Sequence, residues 1–255
     1  MTRPPLSSLV VLSIAGYDPS SGAGITADVK TAAAHGCFAI TCITALTIQT
    51  TQGVRGVEPV SEDVIRRTLA ELNSDFEIAA VRIGMLGSAA ATVAEFLESA
   101  KLKNLVLDPV IKSSSGADLI DADGLRVLRE RLIPLSRVIT PNVDEASVLS
   151  GLRDREQAAR ELNKMGAEAV VITGGHLAEA VDLLFNDGQF EEFRAPKIQS
   201  KSTHGTGCAF ATSVACGLAK GKSVREAVIQ AKEFVRRAIE SSVPIGKGVG
   251  PLNLG

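Results

Sequence analysis

The chain has 255 residues, 45% hydrophobic and 22% charged, enough apolar material for one large α/β domain over 1–255. Its 27 Lys and Arg against 29 Asp and Glu leave a formal net charge of -2, which gives no electrostatic case for nucleic acid or an anionic membrane as partner. No apolar run reaches the roughly 20 residues that span a bilayer. Met1-Thr2-Arg3-Pro4-Pro5 lacks the features of a signal peptide, so a cytoplasmic location is expected.

In chain order, short aliphatic runs alternate with helix-length segments. Leu9–Ala15 reads as a strand, followed by the glycine-rich Gly16-Tyr17-Asp18-Pro19-Ser20-Ser21-Gly22-Ala23-Gly24 and a helix carrying Asp28. Phe38–Leu46 is the next strand, then a helix over Val64–Leu72, a strand over Ala80–Ile83 and a helix over Ala90–Ala100. Leu105–Leu107, Val138–Thr140, Ala169–Thr173 and Ala180–Phe185 continue the strands, with helices over Gly124–Leu132 and Arg155–Met165 between them. Phe185-Asn186-Asp187-Gly188-Gln189-Phe190 is a hairpin turn. Gly205 to Ser242 reads as two helices broken at Gly221. Apolar strands alternating with helices predict a mainly parallel sheet covered on both faces.

In such a sheet, ligands gather at the C-terminal strand ends. There the chain places Asp108-Pro109-Val110, Thr140-Pro141-Asn142-Val143-Asp144-Glu145 and Thr173-Gly174-Gly175-His176. The most informative run is Thr203-His204-Gly205-Thr206-Gly207-Cys208, leading into the apolar Ala209–Ala215. Its glycines let backbone N–H groups curl around a common point at a helix N-terminus, an arrangement suited to a phosphoryl group. The plain alternative is close packing of an Ala-rich helix. A thiol at a helix N-terminus is expected to have a lowered pKa, which suits Cys208 to act as a base near neutral pH.

Cys37, Cys42 and Cys216 read as small core residues, and the three histidines show no zinc-ligand spacing. Two motifs fail on inspection. Gly221-Lys222-Ser223 has Cys216 where a phosphate-binding loop needs glycine, and Gly22-Ala23-Gly24 has Ala27 where a dinucleotide fingerprint needs its third glycine.

Several motifs in collinear order resemble the hydroxymethylpyrimidine/phosphomethylpyrimidine kinases of thiamin biosynthesis, within the ribokinase-like superfamily. They are Ile14 to Asp28, Ile43-Thr44-Ala45-Leu46-Thr47-Ile48-Gln49-Thr50, Ile83-Gly84-Met85-Leu86, Thr140-Pro141-Asn142, Gly174-Gly175-His176, His204 to Cys208, and Gly246-Lys247-Gly248-Val249-Gly250-Pro251. The resemblance implies a three-layer α/β/α sandwich and a usual homodimer. The implied activity uses ATP and Mg²⁺ to phosphorylate 4-amino-5-hydroxymethyl-2-methylpyrimidine and then its monophosphate.

Carried onto this sequence, Gly205, Thr206 and Gly207 would donate to the transferring phosphate, and Cys208 stands where many relatives carry an aspartate base. Asn142 and Glu145 would place Mg²⁺ and the nucleotide phosphates, with Asp108 a second magnesium or phosphate partner and Thr173 and Gly174 beside the nucleotide. Gln49 and Asp28 would read the pyrimidine, Met85 and Val110 would wall it, and Gly16 would let it approach the backbone.

The sequence departs from the family at two cations. Thr173 stands where lysine is usual before Gly174-Gly175-His176, and Ser113-Ser114-Ser115-Gly116 replaces Ala-Lys-Ser-Gly, with a lysine displaced to Lys112. These departures bear on the phosphate contacts and on the second transfer. Tyr17, where serine is usual, is expected to narrow the pocket. The rival readings are a pyridoxal kinase, whose substrate is another flat ring bearing a hydroxymethyl group, and a non-catalytic pyrimidine-binding protein.

Overall fold

The structure is a computed structural model and describes residues 9–113, 116–175, 180–196 and 198–255. Nine strands form one sheet: β1 (Val10–Tyr17), β2 (Phe38–Thr50), β3 (Gly53–Pro59), β4 (Ile78–Ile83), β5 (Leu105–Leu107), β6 (Val138–Ile139), β7 (Ala169–Ile172), β8 (Ala180–Asn186) and β9 (Gln189–Ala195). Their spatial order is β3-β2-β1-β4-β5-β6-β7-β8-β9. The six strands from β2 to β7 in that order run parallel, while β3, β8 and β9 pair antiparallel at the two edges.

The helices are α1 (Gly24–Ala34), α2 (Glu62–Asp75), α3 (Ala90–Ala100), α4 (Ala122–Val127), α5 (Ile133–Leu135), α6 (Val143–Ser150), α7 (Arg155–Lys164), α8 (Thr206–Ala219) and α9 (Val224–Glu240). Because side chains alternate across a strand, each central strand feeds both faces. Leu12, Ile14, Val81, Ile83, Leu107, Ile139 and Val170 pack under α2 to α7. Val11, Ala80, Val106, Val138, Ala169 and Val171 pack under α1, α8 and α9. The result is the expected three-layer sandwich. Helix α8 is buried from Ala209 through Leu218, which explains why it is apolar all round and not striped. At Gly217 a Cβ would lie 2.8 Å from the Ala227 Cβ, so glycine sets the close approach of α8 and α9.

Two features differ from expectation, and one expected turn brings a further strand. β2 runs on to Thr50 and turns through Thr51-Gln52 into β3, which the sequence reading left unassigned because its alternation is weak. The hairpin at Asp187-Gly188 is present, with both residues at positive φ, and carries the edge strand β9. The helix expected over Gly124–Leu132 is longer, running from α4 through a π-helical turn at Leu128–Leu132 into α5. Pro134 lacks the N–H that a regular helix would need there, and the wide turn before it absorbs the mismatch.

Candidate active site

The C-terminal ends of the parallel strands and the N-terminus of α8 enclose a cavity of about 960 Å³. One end is charged and the other is flat and largely apolar.

At the charged end, Gly205 caps α8 with φ 87°, and a Cβ there would lie 1.8 Å from the Gly22 carbonyl oxygen. Only glycine permits that left-handed, close-packed turn. The Thr206 N–H reaches back to the Thr203 carbonyl at 3.4 Å, whereas the N–H groups of Gly207 and Cys208 meet no backbone acceptor among the described residues. Gly205, Thr206, Gly207 and Cys208 all line the cavity. Free donors at the positive end of a 14-residue helix form an anion site.

Beneath that turn lies a buried ion cluster. The Arg82 guanidinium, fully buried, donates to Asp28 Oδ2 at 3.1 Å and to Asp108 Oδ2 at 2.6 Å. It also lies against the Cys208 thiol. Gly84 leaves room for it, since a Cβ there would sit 1.9 Å from Arg82 Nη1. Asp28 also accepts from Ser13 Oγ at 2.5 Å and Thr212 Oγ1 at 2.8 Å. Both its oxygens are therefore occupied, and it is 0% exposed. This corrects the expectation that Asp28 touches the ring: it sits behind the cavity wall and anchors Arg82. Arg82 was not singled out from the sequence, although a charged side chain in the apolar run Ala79-Ala80-Val81-Arg82-Ile83 is itself a signal, because a buried charge needs partners.

Cys208 also differs from expectation. Burial pushes its thiol up to about 11, and Asp108 and Asp28 add to the shift, outweighing the lowering by Arg82 and the Gly24 N–H. Near neutral pH it is a thiol and not a preformed thiolate. The helix N-terminus alone does not set its charge, because burial outweighs it and two carboxylates add to the shift.

Asn142 caps α6 by accepting the Glu145 N–H at 2.9 Å, and Glu145 Oε2 accepts the Asn142 N–H at 2.9 Å. Both side chains line the cavity, so the capping box and the site share residues. Burial, and then the nearby Asp108, raise the Glu145 carboxyl to about 8. Burial also raises Asp108, against the pull of Arg82. A divalent cation relieves this strain, and two carboxylates plus phosphate and water oxygens are what Mg²⁺ ordinarily takes. The donor set therefore fits Mg²⁺ at Asp108 and Glu145. No group of three or more His, Cys, Asp or Glu side chains that could hold a metal ion is present among the described residues.

Thr173 lines the cavity, but Gly174 does not. The Gly174 N–H donates to Asp182 Oδ1 at 2.8 Å, and a Cβ would lie 2.0 Å from the Val181 carbonyl oxygen, so Gly174 packs behind the wall and Gly175 takes the lining place. His176, Ser114 and Ser115 lie outside the described residues. The displaced Lys112 lines the cavity and pairs with Asp118 at 3.3 Å. Two further cations from α9 reach the lining, Lys232, paired with Asp182 at 2.7 Å, and Arg236. Sequence reasoning missed both, since a charge on a late helix gives no hint of which strand end it will face.

At the flat end stand Gly16, Tyr17, Met85, Val110 and Gln49. A Cβ on Gly16 would lie 2.9 Å from Met85 Sδ, so the missing side chain keeps this slot open. The Met85 carbonyl accepts from Thr44 Oγ1 at 2.7 Å, which fixes that wall. The Gln49 amide lies 3.1 Å from His204 Nε2 and 3.1 Å from Thr47 Oγ1. Asp18, also on the lining, holds His204 Nε2 at 2.8 Å.

A family model described as phosphomethylpyrimidine kinase matches residues 18–253. The chain belongs to that family. Within it, the chain is 40% identical over 249 residues to the hydroxymethylpyrimidine/phosphomethylpyrimidine kinase of Aquifex aeolicus, covering 94% of this chain and 98% of that protein. It is 42% identical over 260 residues to the thiamine biosynthesis bifunctional protein of Geobacter sulfurreducens, covering 98% of this chain but only 53% of that protein. Among solved structures, an ADP complex of Bacillus subtilis pyridoxal kinase superposes with a TM-score of 0.87 at 37% identity, covering 96% of this chain and 97% of that one. The phosphomethylpyrimidine kinase family thus shares its ribokinase-like fold with that pyridoxal kinase.

Proposed function

We propose that this chain transfers phosphate from ATP to the hydroxymethyl group of 4-amino-5-hydroxymethyl-2-methylpyrimidine, and then to the resulting monophosphate, in thiamin biosynthesis. The supporting observation is the pairing of two unlike ends in one cavity. Free Gly207 and Cys208 N–H groups beside Asp108 and Glu145 suit a phosphoryl group and its metal, and a slot of Gly16, Met85, Val110 and Gln49 suits a neutral flat ring.

In this reading Gly205, Thr206 and Gly207 hold the transferring phosphate by backbone donors, in line between nucleotide and acceptor. Glu145 and Asp108 hold Mg²⁺, which when bound neutralises the phosphate oxygens. Asn142 and Thr173 line the nucleotide side, with Lys232, Arg236 and Lys112 supplying charge in place of the missing lysines. Cys208 faces the acceptor and, in the fraction of molecules where it has lost its own proton to solvent, its thiolate takes the hydroxyl proton in the first transfer; the second acceptor, an ionised phosphate, needs no such help. Arg82 holds the floor of this end together.

A pyridoxal kinase activity is the second reading, favoured by the likeness to the Bacillus subtilis enzyme. A coupled assay that offers each ring alcohol with ATP and separates mono- from diphosphate decides between them. Diphosphate formed from the pyrimidine is the expected result; phosphate transfer to pyridoxal alone overturns the primary reading.

We also propose that residues 1–255 act as one domain and that two copies associate. Exposed Leu46, Ile48 and Val57 on β2 and β3 support the pairing, and light scattering of the purified protein tests it. The four cysteines, none in a disulfide, accord with a cytoplasmic setting.

A further inference from the structure

Asp18 and His204, from two separate loops, and Gln49, near the end of β2, meet beside the flat end of the cavity. Asp18 Oδ1 accepts from the Ser20 N–H at 2.8 Å and its Oγ–H at 2.7 Å. Asp18 Oδ2 accepts from the Ala23 N–H at 2.9 Å and the Gly22 N–H at 3.2 Å. Against the opposing effect of burial, hydrogen bonds from His204 and Ser20 hold the carboxyl below its usual range. An ionised carboxylate only accepts, so the proton in the 2.8 Å contact belongs to His204 Nε2.

That assignment propagates. The same Nε2 lies 3.1 Å from one terminal atom of the Gln49 amide. Its single proton is directed to Asp18, and a second N–H facing the protonated nitrogen would be repelled, so the facing atom is Oε1. The amide nitrogen then faces Thr47 Oγ1, 3.1 Å away. Thr47 gives its own proton to the Tyr17 carbonyl at 3.0 Å, leaving an oxygen lone pair for the amide. Turned the other way, the amide would set N–H against N–H at His204, the one contact that no sharing of protons relieves. Hydrogen-bond completeness chooses the orientation.

We infer that Asp18 and His204 are positioning residues that fix the Gln49 amide with its oxygen towards His204 and one N–H free for the ring. The inference rests on Gln49 reading the substrate, as proposed above. It specifies the ligand class: a flat heteroaromatic alcohol whose ring nitrogen offers an in-plane lone pair. A ring presenting N–H at that edge meets a donor and is rejected.

Nitrogen-15 spectra of histidine-labelled enzyme test the assignment directly, and a proton on His204 Nε2 is expected. Steady-state kinetics test its consequence with two variants of opposite character. His204→Gln keeps an amide N–H near the place of Nε2, while His204→Phe keeps the bulk and loses the donor. The phenylalanine variant should raise KM for the pyrimidine about tenfold, the size of one lost net hydrogen bond. KM for ATP and the melting temperature should stay near wild type, and the glutamine variant should restore most of the loss. A bare Nε2 overturns the inference, as does a phenylalanine variant with wild-type KM or a glutamine variant no better than phenylalanine. If Gln49→Ala leaves pyrimidine KM unchanged, the failure falls on the role given to Gln49, and the histidine spectrum separately reports whether the hydrogen-bond chain exists.

Discussion

At the flat end of the cavity Asp18, His204, Gln49 and Thr47 are all held by one another, whereas at the charged end Asp108 and Glu145 oppose like charge and two N–H groups of α8 find no backbone acceptor among the described residues. The flat end is set before any ligand arrives, with one Gln49 N–H left for the ring. The charged end is completed by what binds. The difference follows from the ligands: a neutral ring can be read by fixed amides, while phosphate and metal bring charges that the empty protein cannot balance. Arg82 stabilises the charged end without neutralising it, since it meets Asp28 and Asp108 but leaves Glu145 to bear its own burial.

The hardest test of this contrast is Arg82→Leu. Removing the cation leaves Asp28 and Asp108 buried and unpaired, and the loss should reach ~3–5 kcal/mol of folding stability in denaturant titration. A loss within ~0.5 kcal/mol, typical of an exposed surface change, would mean the cluster is not holding the floor of the site.

Cys208→Ala probes the chemistry at the same end. If Cys208 takes the hydroxyl proton, the first transfer should slow by roughly 10²–10⁴ while the second, to an ionised acceptor, suffers much less. Wild-type single-turnover rates for the first transfer should climb with pH up to about 11, because only the thiolate accepts a proton. A flat pH profile removes the thiolate from the reaction, and equal slowing of both transfers makes Cys208 part of the anion hole.

At the flat end Gln49→Ala should cost about 1–3 kcal/mol of pyrimidine binding and leave ATP binding alone. Calorimetry with each ligand checks it, and equal losses would place Gln49 outside the ring slot.

The smallest effect is expected from Glu145→Gln. The Glu145 carboxyl is raised from 4.5 to about 8, so its contribution to stability is full below pH 4.5 and is lost as pH rises through about 8. The glutamine variant should abolish that decline and melt slightly higher than wild type at pH 8 without ligands, yet need more Mg²⁺ for turnover. Identical melting curves across this range, with an unchanged magnesium titration, would detach Glu145 from the charged end.

Much of the fold was legible in the chain. The strands at Leu105–Leu107 and Ala80–Ile83 fell where apolar runs put them, because buried parallel strands must be apolar on both faces. The Gly205 turn was legible too, since left-handed backbone in close contact leaves few residue choices. β3 escaped notice because Gly53–Pro59 is a mostly exposed edge strand with little apolar alternation to mark it. Gly174 was placed in the site by its motif, but a motif does not say which of two adjacent glycines turns its backbone inward.

By itself, then, the sequence determined the sandwich, the strand-end loops and the glycine turn, all of which follow from local periodicity and backbone sterics. Tertiary structure alone decided the electrostatics. Asp28 and Arg82 lie 54 positions apart, and Asp18 and His204 lie 186 apart. Neither pairing has a local signature, yet burial above the first, with its two carboxylates adding, raises the Cys208 thiol where a helix N-terminus alone would lower it. Charges act through space over distances that sequence spacing does not measure, so side-chain protonation belongs to the folded molecule.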